Sequence, residues 1–194
     1  MAPDAARRLA TAEDLRLLDP AVRAEVVAGE VVEKATPSAE HADAQLGLGT
    51  ALRGPFHRRG GGGAPGGWWI LVECEIELEA HEVYRPDLSG WRRDRVPERP
   101  SGLPVRLRPD WVCEVLSPTT ADRDLGEKMQ ALHRNGVPHY WIVDPLNRVL
   151  TVYRWAPDGY LAVRSAGPGD RIRAEPFDAV PLQVGLLFGE EPEE

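Results

Sequence analysis

The sequence predicts an α/β domain in which a mixed β-sheet is built around a central strand-helix-strand unit and carries flanking helices. Two nearly continuous apolar runs, Trp111–Leu116 and His139–Asp144, have the pattern of strands covered on both faces. Between them Leu125, Met129 and Leu132 recur at helical spacing as a buried stripe, and Asn135-Gly136 stops the helix before Pro138. Such a unit is expected to be a right-handed parallel crossover. With 194 residues and 42% hydrophobic content the chain can bury one core, so a single domain is expected over 1–188, with an acidic tail at 189–194.

The other elements follow in chain order. Thr11-Ala-Glu-Asp reads as the capped start of a short helix ending before Pro20. Ala24–Val27 and Glu30–Lys34 flank an Ala28-Gly29 turn and read as a hairpin. Thr36-Pro37 reads as the cap and first turn of a helix that carries Ala44, Leu48 and Leu52 on one face and stops at Gly54-Pro55. Gly60–Gly67 reads as a connection, because no Gly-Lys-Ser/Thr follows to make it a phosphate loop. Trp69–Ala80 alternates strictly, as a half-buried strand does, with Glu73, Glu75, Glu77 and Glu79 on its polar face. Glutamates about 6.8 Å apart repel one another and are expected to face water, rather than arginines or a metal. A turn at His81–Tyr84, a short strand beginning at Asp87 and an Arg- and Pro-rich loop over Arg92–Pro104 come next. Arg148–Trp155 and Tyr160–Ser165 close the sheet as a hairpin around Pro157-Asp158-Gly159.

The net charge of −8 disfavours a protein that coats nucleic acid unspecifically. Arg85–Arg108 nevertheless holds seven arginines against three acidic residues, which reads either as a solvated loop or as a local basic surface. Cys74 and Cys113 each lie in an apolar run without a Cys-x-x-Cys, and read as small core residues. No stretch has the length of a membrane span, and Met1–Ala10 lacks the apolar centre of a signal peptide, so a cytoplasmic protein is expected. Of 23 basic residues only Lys34 and Lys128 are lysines. Lysine is hard to replace where a compact ammonium must approach a reacting oxygen, so both positions draw attention.

Glu114 interrupts a strand expected to be buried, where an unpaired carboxylate would cost several kcal/mol. Asp87, at the start of the preceding strand, is its candidate partner. If the strands are adjacent, carboxylates about 4 Å apart repel by roughly 4 kcal/mol, and such a pair shares a proton or binds a cation. Few, hard oxygen donors suit Mg²⁺ or Mn²⁺ and not zinc. Lys128 flanks the apolar stripe of its helix and its ammonium can reach Glu114, with an Asp124–Lys128 surface pair as the alternative. Glu40 and His41, in the first turn of the first long helix, are candidates to contact the site from the side, with capping or packing as the other reading. The remaining histidines have no metal-ligand spacing.

Asp110-Trp-Val-Cys-Glu-Val-Leu-Ser-Pro-Thr-Thr, Asp124-x3-Lys128 and Gly136-Val-Pro-His-Tyr-Trp-Ile-Val-Asp-Pro145, together with Pro86-Asp87 and the helix start at Ser38–His41, resemble the Uma family of "putative restriction endonucleases", a branch of the PD-(D/E)xK nuclease superfamily. The resemblance covers about residues 25–155. Leu132 departs from the family's usual Tyr and His139 from its usual Glu. The resemblance implies a restriction-endonuclease-like fold and hydrolysis of phosphodiester bonds in DNA, with RNA left open. It implies that Asp87 and Glu114, aided by the Val115 carbonyl, hold Mg²⁺ or Mn²⁺ and that Lys128 positions or activates water. By analogy with double-strand cutters it also suggests a homodimer. The rival reading is a catalytically silent module that keeps the fold and uses the Arg85–Arg108 loop to bind a partner. A Schiff-base role for Lys128 finds no phosphate or pyridoxal-type signal.

Overall fold

The computed structural model describes residues 8–60, 65–118 and 121–191; the expectations for the first seven residues, for Gly61–Ala64, for Thr119-Thr120 and for the end of the acidic tail lie outside them. Helix α1 (Ala12–Arg16) starts at Thr11, whose backbone N–H and hydroxyl both meet the Asp14 carboxylate. Strands β1 (Ala24–Val27) and β2 (Glu30–Glu33) form the expected hairpin, and both turn residues have positive φ (Ala28 49°, Gly29 79°), as a tight turn of this hand requires.

Helix α2 (Ala39–Phe56) is capped by Ser38, whose hydroxyl accepts the His41 N–H, so the cap lies two residues after Thr36 and Pro37 precedes it. The helix also runs through Gly54-Pro55 instead of stopping there. Pro55 lies in the last turn, where it removes one intrahelical hydrogen bond and only Phe56 follows it in the helix. Phe56 is held in the core, its ring 4.8 Å from that of Phe177. Its buried face, Ala44, Leu48, Leu52 and Phe56, packs on Leu88, Trp111, Cys113, Trp141 and Val143 of the main sheet.

The segment expected to be one strand from Trp69 to Ala80 is two, in different sheets: β3 (Trp68–Val72) and β4 (Ile76–Glu79). Glu73, at φ 50°, leaves extended geometry between them and turns the chain out of the first sheet. The four glutamates are not left to water alone, although Glu79 stays exposed. Each is paired with an arginine: Glu73 with Arg23, Glu75 with Arg85, Glu77 with Arg106 and Glu79 with Arg134. Of the turn expected at 81–84 only His81 turns, with Ala80; Glu82–Tyr84 form a short strand, β5, that returns antiparallel along β4.

Strand β6 (Leu88–Arg92) leads through the Arg-rich loop to β7 (Trp111–Val115), all five residues of which are buried. Most arginines of that region bind this chain. Arg95 pairs with Asp110, Arg108 donates to the Gly136 carbonyl, and Arg93 lies over the Trp69 ring. Helix α3 (Ala121–Leu125), α4 (Glu127–Arg134) and β8 (His139–Asp144) complete the central unit, and β7–β8 is the parallel pair. The expected single helix is broken at Gly126, where an added Cβ would meet the Asp122 carbonyl oxygen at 2.7 Å. The expected stripe shifts accordingly. Leu125 is 44% exposed, and the buried positions are Asp124, Lys128, Ala131 and Leu132. Two ionic residues take the place of apolar ones here: Lys128 is the counter-ion of the buried Glu114 on β7, and Asp124 pairs with the same ammonium.

The hairpin β9 (Val149–Ala156) and β10 (Gly159–Ala166) extends the sheet to six strands in the order β10-β9-β8-β7-β6-β3. A four-stranded sheet has the order β2-β1-β5-β4. The chain ends with a two-stranded pair, β11 (Arg171–Ile172) and β12 (Leu182–Gln183), and a 3-10 turn over Val184–Phe188. That turn lies close on α2 at Gly47, where a Cβ would come within 2.6 Å of the Leu186 carbonyl oxygen. Among the described residues no helix is long and apolar enough to cross a membrane.

Candidate active site at the junction of the two sheets

The antiparallel register of β6 and β7 pairs Leu88 with Cys113, which brings Asp87 beside Glu114 at the end of the two strands. Asp87 lies in the three-residue connection between β5 and β6, so it stands where the chain passes from one sheet to the other. One carboxylate oxygen accepts the Val115 N–H at 2.7 Å; the other lies 3.2 Å from His41 Nε2 and 3.4 Å from Lys34 Nζ. Burial works against its charge, but His41, the Lys34 ammonium and the Val115 N–H outweigh that and hold its carboxyl well below the usual range.

Glu114 projects from the buried strand to Lys128, whose Nζ is 2.8 Å from Glu114 Oε1, 3.0 Å from Glu25 Oε2 and 3.2 Å from Asp124 Oδ1. Burial pushes the Glu114 carboxyl well above the usual range, with the Lys128 ammonium opposing the shift and the Asp124 and Asp87 carboxylates adding to it. Burial disfavours the charge of Lys128 as well, but Glu114, Glu25 and Asp124 keep it protonated far above its ordinary value. Glu25, on β1, also accepts the Arg85 N–H at 2.6 Å. Burial opposes its charge, but Lys128 and Lys34 hold its carboxyl below the usual range.

Asp87, Glu114 and Lys128 thus line a single cavity of about 20 Å³, room for a water or a metal ion. His41 joins them. Glu40 does not: it is exposed, lies in the neighbouring groove and is tied to Ser38 at the helix cap. Three side chains that sequence reasoning left out of the site belong to it. Lysine scarcity pointed at Lys34 without giving it a place. Asp124 was weighed only as a surface partner of Lys128, and that pair is buried. Glu25 carried no signal beyond being an acid in an apolar hairpin strand.

The donors suit a hard divalent cation. Glu25, Asp87, Glu114 and Asp124 are four carboxyl groups facing the two ammoniums of Lys34 and Lys128, an excess of up to two negative charges in a buried space. His41 Nδ1 is buried without a hydrogen-bond partner. Among the described residues no three His, Cys, Asp or Glu side chains converge as a ready-made metal cluster.

The α/β fold is similar to that of a crystal structure from Anabaena variabilis ATCC 29413, itself described as a putative nuclease belonging to DUF820, with a TM-score of 0.68 and 18% identity over 92% of this chain and 97% of that one. The chain belongs to the Uma2 family, described as "Putative restriction endonuclease", which matches residues 11–185. No curated protein matches it.

Proposed function

We propose that the chain is a divalent-metal-dependent endonuclease that hydrolyses phosphodiester bonds of DNA. The observation that carries this reading is the excess of carboxylates over ammoniums in one buried cavity at the ends of β6 and β7. Asp87 and Glu114, with the Val115 carbonyl, would hold Mg²⁺ or Mn²⁺. Such an ion, when bound, neutralises charge developing on the phosphoryl group and lowers the pKa of a bound water. Lys128 fixes the direction of Glu114 and is itself fixed by Glu25 and Asp124. His41 holds Asp87 from the first turn of α2. Cutting both strands of a duplex would bring two copies of the chain together, each supplying one cavity.

The test is calorimetric titration of Mn²⁺ into the wild type and Glu114→Gln, with circular dichroism on both, followed by incubation with plasmid DNA and with RNA in Mg²⁺. The wild type is expected to bind the ion and nick DNA, and Glu114→Gln to lose both. A folded wild type without Mn²⁺ affinity, together with a Glu114→Gln variant of unchanged or greater stability, would point to the silent module. RNA cut in place of DNA would keep the chemistry and correct the substrate.

A further inference from the structure

The chain's only two lysines end in the same cavity, and their surroundings differ. Lys128 has carboxylate oxygens of Glu114, Glu25 and Asp124 within 3.2 Å, so its three N–H donors are taken up. Lys34 Nζ donates to the Arg85 carbonyl at 2.7 Å and lies 3.4 Å from Asp87 Oδ1, a contact at the edge of hydrogen-bonding range. Among the described residues it makes no third hydrogen bond, although Glu25 and Glu114 line the same cavity. Its side chain is 10% exposed against 2% for Lys128, which puts it nearer the mouth. The residues after it, Ala35 and Thr36, form a wall shared by the cavity and by a wider groove of about 530 Å³ that also includes Leu116, Pro118 and Pro145.

We propose that Lys34 is a catalytic residue that binds a non-bridging oxygen of the scissile phosphate, and that Lys128 is a positioning residue for Glu114, Glu25 and Asp124. This rests on the nuclease reading and assigns the substrate contact within it. A phosphate oxygen arriving beside Asp87 meets the ammonium with a donor to spare, whereas a donor from Lys128 would have to abandon a buried carboxylate. A compact ammonium also suits a 20 Å³ space better than a guanidinium fork, which gives a reason for lysine at this position in a chain that otherwise uses arginine.

The experiment measures Mn²⁺ affinity by calorimetry for the wild type, Lys34→Gln and Lys34→Arg, then titrates thymidine 5′-phosphate into each Mn²⁺-loaded protein. Lys34→Gln removes the charge and keeps a polar head; Lys34→Met is a second uncharged variant, and circular dichroism checks the fold of all. Both uncharged variants are expected to bind Mn²⁺ at least as tightly as the wild type and the nucleotide about tenfold or more weakly. Lys34→Arg should recover part of the nucleotide affinity. Equal nucleotide affinity in wild type and Lys34→Gln, with Mn²⁺ bound by both, overturns the assignment and leaves the nuclease reading standing. A wild type that binds no Mn²⁺ removes that reading and the assignment with it.

Discussion

Lys128 Nζ lies 2.8 Å from Glu114 Oε1, with neither side chain more than 3% exposed. The pair joins α4 to the C-terminal end of β7, a strand buried along its whole length. Taken singly, either charge would be expelled from such a place; together they are tolerated because Glu25 and Asp124 close the remaining sides of the ammonium.

Lys128→Met removes the one cation shared by three buried carboxylates. Urea unfolding at pH 7 should show a loss of about 3–5 kcal/mol, and the loss should shrink at lower pH as the abandoned carboxylates take up protons. A loss below about 1 kcal/mol would mean that the three acids do not depend on this ammonium.

The shifted stripe of the central helices makes a contrast between two leucines. Leu125→Gln, at a position 44% exposed, should change stability by no more than about 0.5 kcal/mol. Leu132→Ala, at 3% exposure against Val112 and Tyr140, should cost about 2–5 kcal/mol. Thermal and urea unfolding of the two variants measure this, and a large cost at Leu125 would restore the apolar stripe read from the sequence.

The glutamates of the alternating segment are expected to differ although their spacing is regular. Glu77→Gln loosens a pair whose Arg106 is 64% exposed and should cost no more than about 1 kcal/mol. Glu75→Gln leaves the largely buried Arg85 without its counter-ion and should cost about 1–3 kcal/mol. Equal costs in parallel denaturation curves would mean that burial does not set the difference.

His57 Nδ1 lies 2.9 Å from the Ile70 nitrogen, whose N–H the neutral ring can accept, and 3.0 Å from the Ile70 carbonyl oxygen, to which a protonated Nδ1 would donate. Burial, with Arg53 beside it, holds the ring below its ordinary value of 6.5. The folded state therefore binds this proton less readily than the unfolded one. The stability His57 contributes is fully present above about pH 6.5 and is lost as the pH falls through the lower folded value. Ring-proton chemical shifts followed by NMR should give a midpoint below 6.5, and a midpoint above it would reverse the sign of the effect.

The central unit was legible because its strands announce themselves by continuous apolar runs, and Glu114 was conspicuous for breaking one of them. Asp87 and Lys128 followed from that single anomaly and from the family resemblance. Glu73 was not readable as a break, because alternation continues across it and only its backbone conformation divides the segment between two sheets. The exposure of Leu125 was hidden for a related reason. Helical periodicity weighs side chains by polarity, and the demand of the buried Glu114 for Lys128, with Asp124 as a further partner of that ammonium, comes from another element altogether. Glu25 enters the site from a sheet whose position relative to the main one no local pattern encodes.

The chain passes between the two sheets twice near the cavity, at Glu73–Glu75 and again at Arg85–Asp87, and the Glu73 N–H donates to the Asp87 carbonyl to tie the two passages together. Neither sheet is therefore a continuous stretch of polypeptide: one takes strands from either side of β3, and the other resumes only after β5. The cavity is a property of their docking, since Glu25 comes from one sheet, Glu114 from the other and Asp87 from the link. A fluctuation that peels the sheets apart dismantles the site before it disturbs either ladder of hydrogen bonds. Slow amide exchange in β1, β5, β6 and β7 would then outlast that opening, so the acidic pocket comes apart at a lower free energy than the sheets it joins.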